Sequence, residues 1–599
     1  MTPKEENRQL LERYFKPELM EGTSKVKPLD EAIREYIKPG MHIYFAYLPF
    51  ALTYEVIRQF NNRKGDFTVS CLGGVENVVI MATAGLVKRI IASYLGSILP
   101  SPVLSRALQQ AIRNGVVVEN WSLLTIVQRL QAAALNLPFM PVRSLENSSM
   151  AKENNERGLY KRIIDPFVGE EIGIVKPLRP DITLMHAYCA DGAGNAIPAL
   201  PFTEEAYGAF ASKEGVILSV EKIVDTQYLR KNAFNVRVPA SVVKCVVEAP
   251  FGMHPYGCRG PDGHGYGEDI EFAVELQEAL RDFETAKEWV KKWVIDVNSH
   301  KEYLKKLTLK RLQKLRERVS YEGWKADAAK IIRRLPDAPA NRVERAVIFA
   351  AREVVESVKR HRYDSILAGI GISHLAAWIA TYMLRFNRVD AQLIVELGLY
   401  GYLPPPTQPF LVSTRGMESC LILTDTLNIL GFVANNTRVL ACISGGQIDK
   451  NGNINSTKIG DFFLFGSGGA NDISTTAKEV IVALLHDKRR LVEEVPYITC
   501  PGRNVKKVVT DSAVFEKEGD ELILKKVYVE PGENRRDAIS VIRENMGWDP
   551  KISDNLIIID APRREEILML RYFDPERYFL GKLEAGTSRK SNNVYYCER

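Results

Sequence analysis

Leu393-Ile394-Val395-Glu396-Leu397-Gly398 is the stretch on which the fold reading turns. An apolar run this short, ending in glycine, predicts a buried strand over Ala391–Val395. Glu396 then stands where that strand ends, and a carboxylate in such a place is costly unless it is neutralised, paired or used. Downstream lies Gly466-Ser467-Gly468-Gly469-Ala470-Asn471-Asp472, a Gly-rich turn ahead of the apolar run Ile473–Leu485, which is read as helix. Backbone N–H groups at such a turn can hold negative charge. A candidate nucleophile and a candidate oxyanion or thioester cradle together suggest acyl chemistry.

Outward from this stretch the pattern is α/β. Ser365–Ala368 reads as a strand running into Gly369 and Gly371, and His374–Leu384 as the helix after it. Arg342–Lys359 is an amphipathic helix. Nearer the N-terminus, His42–Tyr47, Phe67–Leu72, Val87–Tyr94 and Asp181–Cys189 read as strands, with helices at Asp30–Tyr36, Leu52–Phe60 and Ile126–Leu135. Strands alternating with helices predict parallel layers. Residues 143–161 look like an irregular surface insertion, and 275–318 are helical. Residues 319–341, with Gly323, Pro336 and Pro339 among charges and alanines, read as a linker.

The halves on either side echo each other. Thr183–Ala187 leads to Asp191-Gly192-Ala193-Gly194-Asn195, and Val439–Ile443 leads to Asp449-Lys450-Asn451-Gly452-Asn453. Each is an apolar strand followed by D-x-x-G-N, which is turn chemistry at a strand end. The reading is two related open α/β domains in tandem, 24–318 and 342–583, with an extension at 1–23 and a polar tail at 584–599.

Composition bounds the rest. The 599 residues exceed one core, and 46% hydrophobic with 26% charged residues is ordinary for globular chains. A net charge of +6 from 80 basic and 74 acidic residues is too dispersed to indicate a nucleic-acid partner. The cysteines at 71, 189, 245, 258, 420, 442, 500 and 597 show no C-x-x-C pair and sit mostly in apolar runs, as in a reduced, cytoplasmic protein. The start, Met1–Glu6, is charged rather than leader-like, and no apolar window is long enough for a membrane span. His254 and His264 in the Gly252–Gly267 loop fit no metal-ligand spacing, so no metal is expected and the loop is read as structural or site-lining. Glu119, after Val116–Val118, is a second acid at a strand end, in the cleft or on the surface. Lys488-Arg489-Arg490 reads as a solvated helix end, with contact to a ligand nucleotide as the alternative.

In combination these motifs resemble family I CoA-transferases of the glutaconate CoA-transferase type, with α and β subunits fused. The α-like half carries Gln131–Phe139, the strand from Pro180 with Asp191–Asn195, and Ala249–Pro255. The β-like half carries Ile394-Val395-Glu396, Gly445-Gly446-Gln447-Ile448-Asp449, Gly452–Thr457, Gly466–Asn471, Lys488-Arg489-Arg490 and Thr499-Cys500-Pro501-Gly502. The resemblance implies an active site between the halves. Its nucleophile falls on Glu396, its acyl-CoA and oxyanion site on Gly466, Ser467, Gly468, Gly469, Ala470 and Asn471, and its close-approach glycines on Gly369 and Gly371. Gln447, Glu119, Tyr47 and His254 are cleft-lining candidates. It further implies transfer of CoA between an acyl-CoA and a carboxylate through a glutamyl anhydride and thioester. Coenzyme A would be substrate, no cofactor would be resident, and the fused chain would be a homodimer. A hydrolase on the same scaffold, including one that cleaves C–C bonds of ketoacyl-CoAs, is the alternative. The sequence departs from the family at Glu396-Leu397-Gly398, where E-S-G is usual, and at Phe45-Ala46-Tyr47-Leu48-Pro49-Phe50, which has no basic residue for a second substrate carboxylate.

Overall fold

A computed structural model describes residues 2–15, 21–201 and 206–583. The tail 584–599 and Cys597 lie outside the described residues. The polar helix Pro3–Phe15 buries no side chain.

Two sheets organise the chain. The first is parallel, in the order Val243–Glu248, Val216–Ile223, Ile182–Ala190, His42–Ala46, Phe67–Cys71, Val87–Ala92, Val117–Asn120, with the short Ala196–Pro198 strand antiparallel to Ile182–Ala190. The second has the parallel centre Gln392–Val395, Ser365–Ala368, Val439–Ile443, Glu479–Ala483, Val505–Val509, flanked by antiparallel strands on both sides. Their centres share one plan. In each, the first strand of the half lies between the second strand and the strand that leads to D-x-x-G-N, directly in the first half and by way of the short strand Gln447–Ile448 in the second. That position is a topological switch point, and ligands of open α/β sheets bind there, beyond the strands' C-terminal ends.

The repeated turns are alike in detail. Asp191 accepts from the Gly194 and Asn195 N–H groups at 2.9 Å and from the Asn195 side chain at 2.8 Å. Asp449 accepts from the Asn451 and Asn453 N–H groups at 3.0 and 2.9 Å and from the Asn453 side chain at 3.0 Å. Gly194 and Gly452 take φ of +104° and +81°, which the turn requires.

Two expectations need correction, and the segment read as a linker gains detail. The apolar run after the Gly-rich turn is not one helix: Ala470–Thr476 is helical and Glu479–Ala483 is a central strand. A strand buried on both faces is as continuously apolar as a buried helix, so periodicity cannot separate them. Residues 143–161 hold the helix Ser149–Glu156 and the strand Tyr160–Ile164, part of a three-stranded sheet with Met140–Val142 and Glu171–Val175. This unit docks on the second half: the Ser149 N–H donates to the Ile498 carbonyl at 2.8 Å, and the Tyr497 hydroxyl donates to Glu153 at 3.1 Å. Its polar side chains serve an interface, which composition reads as surface. The segment 319–341 contains the helix Gly323–Ile331, and its later part is clamped, with Arg571 donating to the carbonyls of Pro336, Ala338 and Pro339.

The apolar core does not stop at the boundary between the halves. One buried cluster joins Tyr44, Trp121, Leu124 and Val127 of the first half to Ile394, Ile429, Ile443 and Ile473 of the second. Continuous apolar burial of this kind holds the two sheets as one body.

Candidate active site

Glu396 comes directly after the strand Gln392–Val395 and reaches into a cavity of about 710 Å³ between the halves. The size suits a cofactor-sized ligand. Burial first, and the nearby Asp472 carboxylate second, push the Glu396 carboxyl up to about 7, while the Gly469 N–H, donating to it, pulls the other way. Near neutral pH this acid is thus divided between its two forms.

The Gly-rich turn is built around that carboxylate. A Cβ on Gly469 would stand 1.9 Å from Glu396 Oε2, so only glycine admits the contact. Its φ of −84° is one any residue can adopt, so the constraint is space rather than backbone conformation. Gly466 differs: its φ is +95°, and a Cβ there would meet the Ser93 carbonyl at 2.4 Å.

The first half holds this turn in place. The Gly468 N–H donates to the Ser93 carbonyl at 2.8 Å, the Leu95 N–H to the Phe465 carbonyl at 2.7 Å, and the Leu123 N–H to the Gly468 carbonyl at 3.0 Å. Asp472 lies at the start of the helix Leu123–Ala134, accepting from Ser122 Oγ at 2.7 Å and the Leu124 N–H at 3.0 Å. Burial nevertheless holds its carboxyl up at about 6.

Of the residues singled out in the sequence, Glu396, Gly466, Ser467, Gly468, Gly469, Ala470, Gly369, Gly371, Gln447 and Tyr47 all line the cavity. Asn471 does not line it. Its buried amide accepts from the Leu145 N–H at 2.8 Å and donates to the Thr499 carbonyl at 2.8 Å, tying the turn to both halves. Glu119 is buried away from the cavity, bonded to Trp121 Nε1 at 2.8 Å and to Arg129 at 3.2 Å. His254 is buried between Tyr303 at 2.7 Å and Asp269 at 3.0 Å. Both are core polar groups satisfied by partners, a role that sequence position alone does not reveal. Arg489 and Arg490 do line the cavity, and no helix ends there: Arg489 forks onto Asp487, and Arg490 donates to the Gly445 carbonyl at 3.3 Å.

Other residues complete the lining, among them Met253 and Tyr256 of the Gly252–Gly267 loop, read above as structural or site-lining, and the loop Phe410–Val412, which the sequence reading did not single out. Leu48, Tyr256, Met253 and the loop Phe410–Val412 form apolar wall. Behind it, the Tyr256 hydroxyl donates to Glu76 at 2.6 Å, and burial raises the Glu76 carboxyl to about 7. Glu268 also borders the cavity, accepting from the Thr414 N–H at 2.7 Å and from Gln408. No local motif marks these positions, because loops distant in sequence bring them together. Among the described residues, His186, Glu221 and Cys258 offer ligand atoms within 4.8 Å of one another. His186 is already engaged with Ser219 and Glu221, and Glu221 accepts from the N–H groups of Phe251 and Gly252.

A carboxylate poised near neutrality, an amide aimed at it and a long cleft between paired α/β halves are the equipment of an acyl-transfer enzyme. Comparison with known proteins agrees. Residues 26–249 match the family described as Coenzyme A transferase. The chain is 28% identical over 313 residues to one of the two subunits of glutaconate CoA-transferase from Acidaminococcus fermentans, covering 49% of this chain and 95% of that one. It is 29% identical over 244 residues to the other of those two subunits, covering 36% and 88%. A cholesterol ring-cleaving hydrolase IpdA subunit of Mycobacterium tuberculosis is 30% identical over 267 residues, covering 42% and 86%. The apoenzyme structure of an acyl-CoA transferase (YdiF) from Escherichia coli O157:H7 covers 95% of this chain and 99% of its own at a TM-score of 0.63; at 18% identity it speaks for the fold. The chain belongs to the coenzyme A transferase family, as an enzyme with both subunit-like halves in one polypeptide. Among the described residues, no helix is long and apolar enough to cross a membrane.

Proposed function

We propose that the protein moves CoA between an acyl-CoA and a free carboxylate through covalent intermediates on Glu396. The observation that carries this reading is the Glu396 carboxyl in the cavity wall, raised to about 7 and in contact with the Gly469 amide. A desolvated carboxylate is a competent nucleophile toward a thioester. Glu396 attacks the acyl carbonyl, the C–S bond breaks and CoA leaves as thiolate, giving a mixed anhydride. The thiolate then attacks the glutamyl carbonyl, the acyl group departs as its carboxylate, and a glutamyl-CoA thioester remains. An acceptor carboxylate reverses the two steps and leaves as the new acyl-CoA.

Each step passes through a tetrahedral oxyanion. The Gly468 amide is committed to Ser93, which leaves the Gly469 N–H as the turn's donor toward the reacting carboxyl. Losing one such donor costs roughly 10²–10³ in rate. CoA is substrate here, and neither the anhydride nor the thioester route calls for a metal or redox group. The fused halves supply both walls of the site, and a homodimer is the assembly we propose.

Hydrolysis is the second reading, favoured by the ring-cleaving hydrolase among the relatives. One experiment separates them. The enzyme is incubated with acyl-CoA and treated with borohydride or hydroxylamine, and the Glu396 peptide is read by mass spectrometry. Modification there with acceptor-dependent turnover is expected. Turnover without an acceptor carboxylate would establish the hydrolase instead.

A further inference from the structure

The loop leaving the first strand of each half faces the cavity, and the two loops are opposites in character. In the second half it is Gly369-Ile370-Gly371, with Gly371 at φ +116°. In the first half the same topological position, after His42–Ala46, holds Tyr47 and Leu48 at φ +59° and +52°. Two consecutive non-glycine residues in the left-handed region cost about 1–2 kcal/mol each, and such strain persists only where the surroundings enforce it. Here the Tyr47 hydroxyl is fastened to the Pro201 carbonyl, and the next residue, Pro49, leads into the helix Phe50–Phe60. The strained pair places an aromatic and an aliphatic side chain on the cavity wall.

The remainder of that wall matches them. Among the described residues, the first half's lining includes Leu72, Val75, Ile98, Leu104, Met253 and Tyr256, and no lysine, arginine or histidine. Its one acidic side chain, Glu268, is engaged by the Thr414 N–H and Gln408 and supplies no positive charge for a second carboxylate. The cavity's cations, Arg489 and Arg490, belong to the second half and already hold Asp487 and the Gly445 carbonyl.

We propose, on the basis of the transferase reading, that Tyr47 and Leu48 are specificity-determining residues that restrict this enzyme to acyl groups with an uncharged, apolar body, and exclude dicarboxylates. A second carboxylate lodged against this wall would be desolvated without a partner, which is strongly unfavourable.

Hexanoate and adipate share a carbon chain and differ in one terminal carboxylate. They are offered separately as acceptors, with acetyl-CoA as donor, to the full-length enzyme. Hexanoate is expected to exceed adipate in kcat/KM by about a hundredfold or more. Leu48→Arg, which introduces a cation, narrows that ratio at least about tenfold. Tyr47→Gly suits the positive φ but removes a buried ring and its bond to Pro201, so its melting temperature is read alongside; by opening the wall to water it also narrows the ratio. Adipate equal to or better than hexanoate overturns the proposal and leaves the transferase reading standing. If neither acid accepts CoA, the transferase reading is decided by the Glu396 labelling above, and the wall is judged by calorimetric titration with hexanoyl-CoA and adipoyl-CoA. Tighter binding of hexanoyl-CoA then supports the assignment, and equal or reversed affinity ends it.

Discussion

Glu396 carries two consequences that pull in opposite directions. Its carboxyl titrates near 7 in the folded chain and near 4.5 when unfolded. Between those values the folded state binds more protons, so stability falls as pH rises through the window and stays reduced above it. Glu396→Gln keeps the shape and removes the charge. At pH 8 this variant is expected to be more stable than wild type by about 1–3 kcal/mol, read by thermal or denaturant unfolding, and to lose at least roughly 10³ in transfer rate. Full activity in that variant would refute the assigned nucleophile. The pH profile depends on the same group: kcat/KM for acyl-CoA rises through about 7 as Glu396 ionises. Asp472 contributes by repulsion, so Asp472→Asn is expected to move that midpoint down. A midpoint that stays put would show that the two acids do not sense each other. Glu396 was legible in the sequence because an acid in an unbroken apolar run is anomalous wherever it occurs. Glu119 and His254 drew attention for similar reasons and proved to be core groups with partners, since sequence shows that a polar group is unusual but not which neighbour satisfies it.

Among the elements, the Gly-rich turn makes the sharpest prediction. Gly469→Ala leaves a permitted φ and places a methyl against the Glu396 carboxylate. It is expected to lower kcat by roughly 10²-fold or more while the melting temperature hardly moves. Gly466→Ala combines a positive φ with collision against the Ser93 backbone, so it is expected to destabilise the fold by about 1–3 kcal/mol as well. If the two variants behave alike, the division of labour along the turn is wrong. The turn was legible from its glycines and the strand before Glu396 from its apolar run. The strand just beyond the turn's short helix was not, because Glu479–Ala483 is buried throughout and carries no face-to-face contrast. The docking unit around Ser149–Glu156 was missed for the reverse reason: its polar residues are satisfied by the other half, a fact absent from local composition.

At the scale of the molecule, the two halves were legible as a repeat because the D-x-x-G-N turn needs the same residue types wherever a strand ends in that way. How closely they depend on each other was not. The first half supplies Ser93 and Tyr94 to the turn, the second supplies Asp472 to the helix Leu123–Ala134, and one apolar cluster crosses between them. Chains 1–334 and 335–599 made separately are therefore expected to be inactive alone and to regain transfer when mixed. Activity in either piece alone would contradict a site built from both.

The clamp that Arg571 places on Pro336, Ala338 and Pro339, while also pairing with Glu344, gives the peptide joining the halves a defined course. A tether so fixed turns the meeting of two complementary surfaces from a bimolecular search into a unimolecular event, independent of dilution. Matched supply of the two parts is then guaranteed by translation itself, so neither lobe is made without the partner that covers its apolar face.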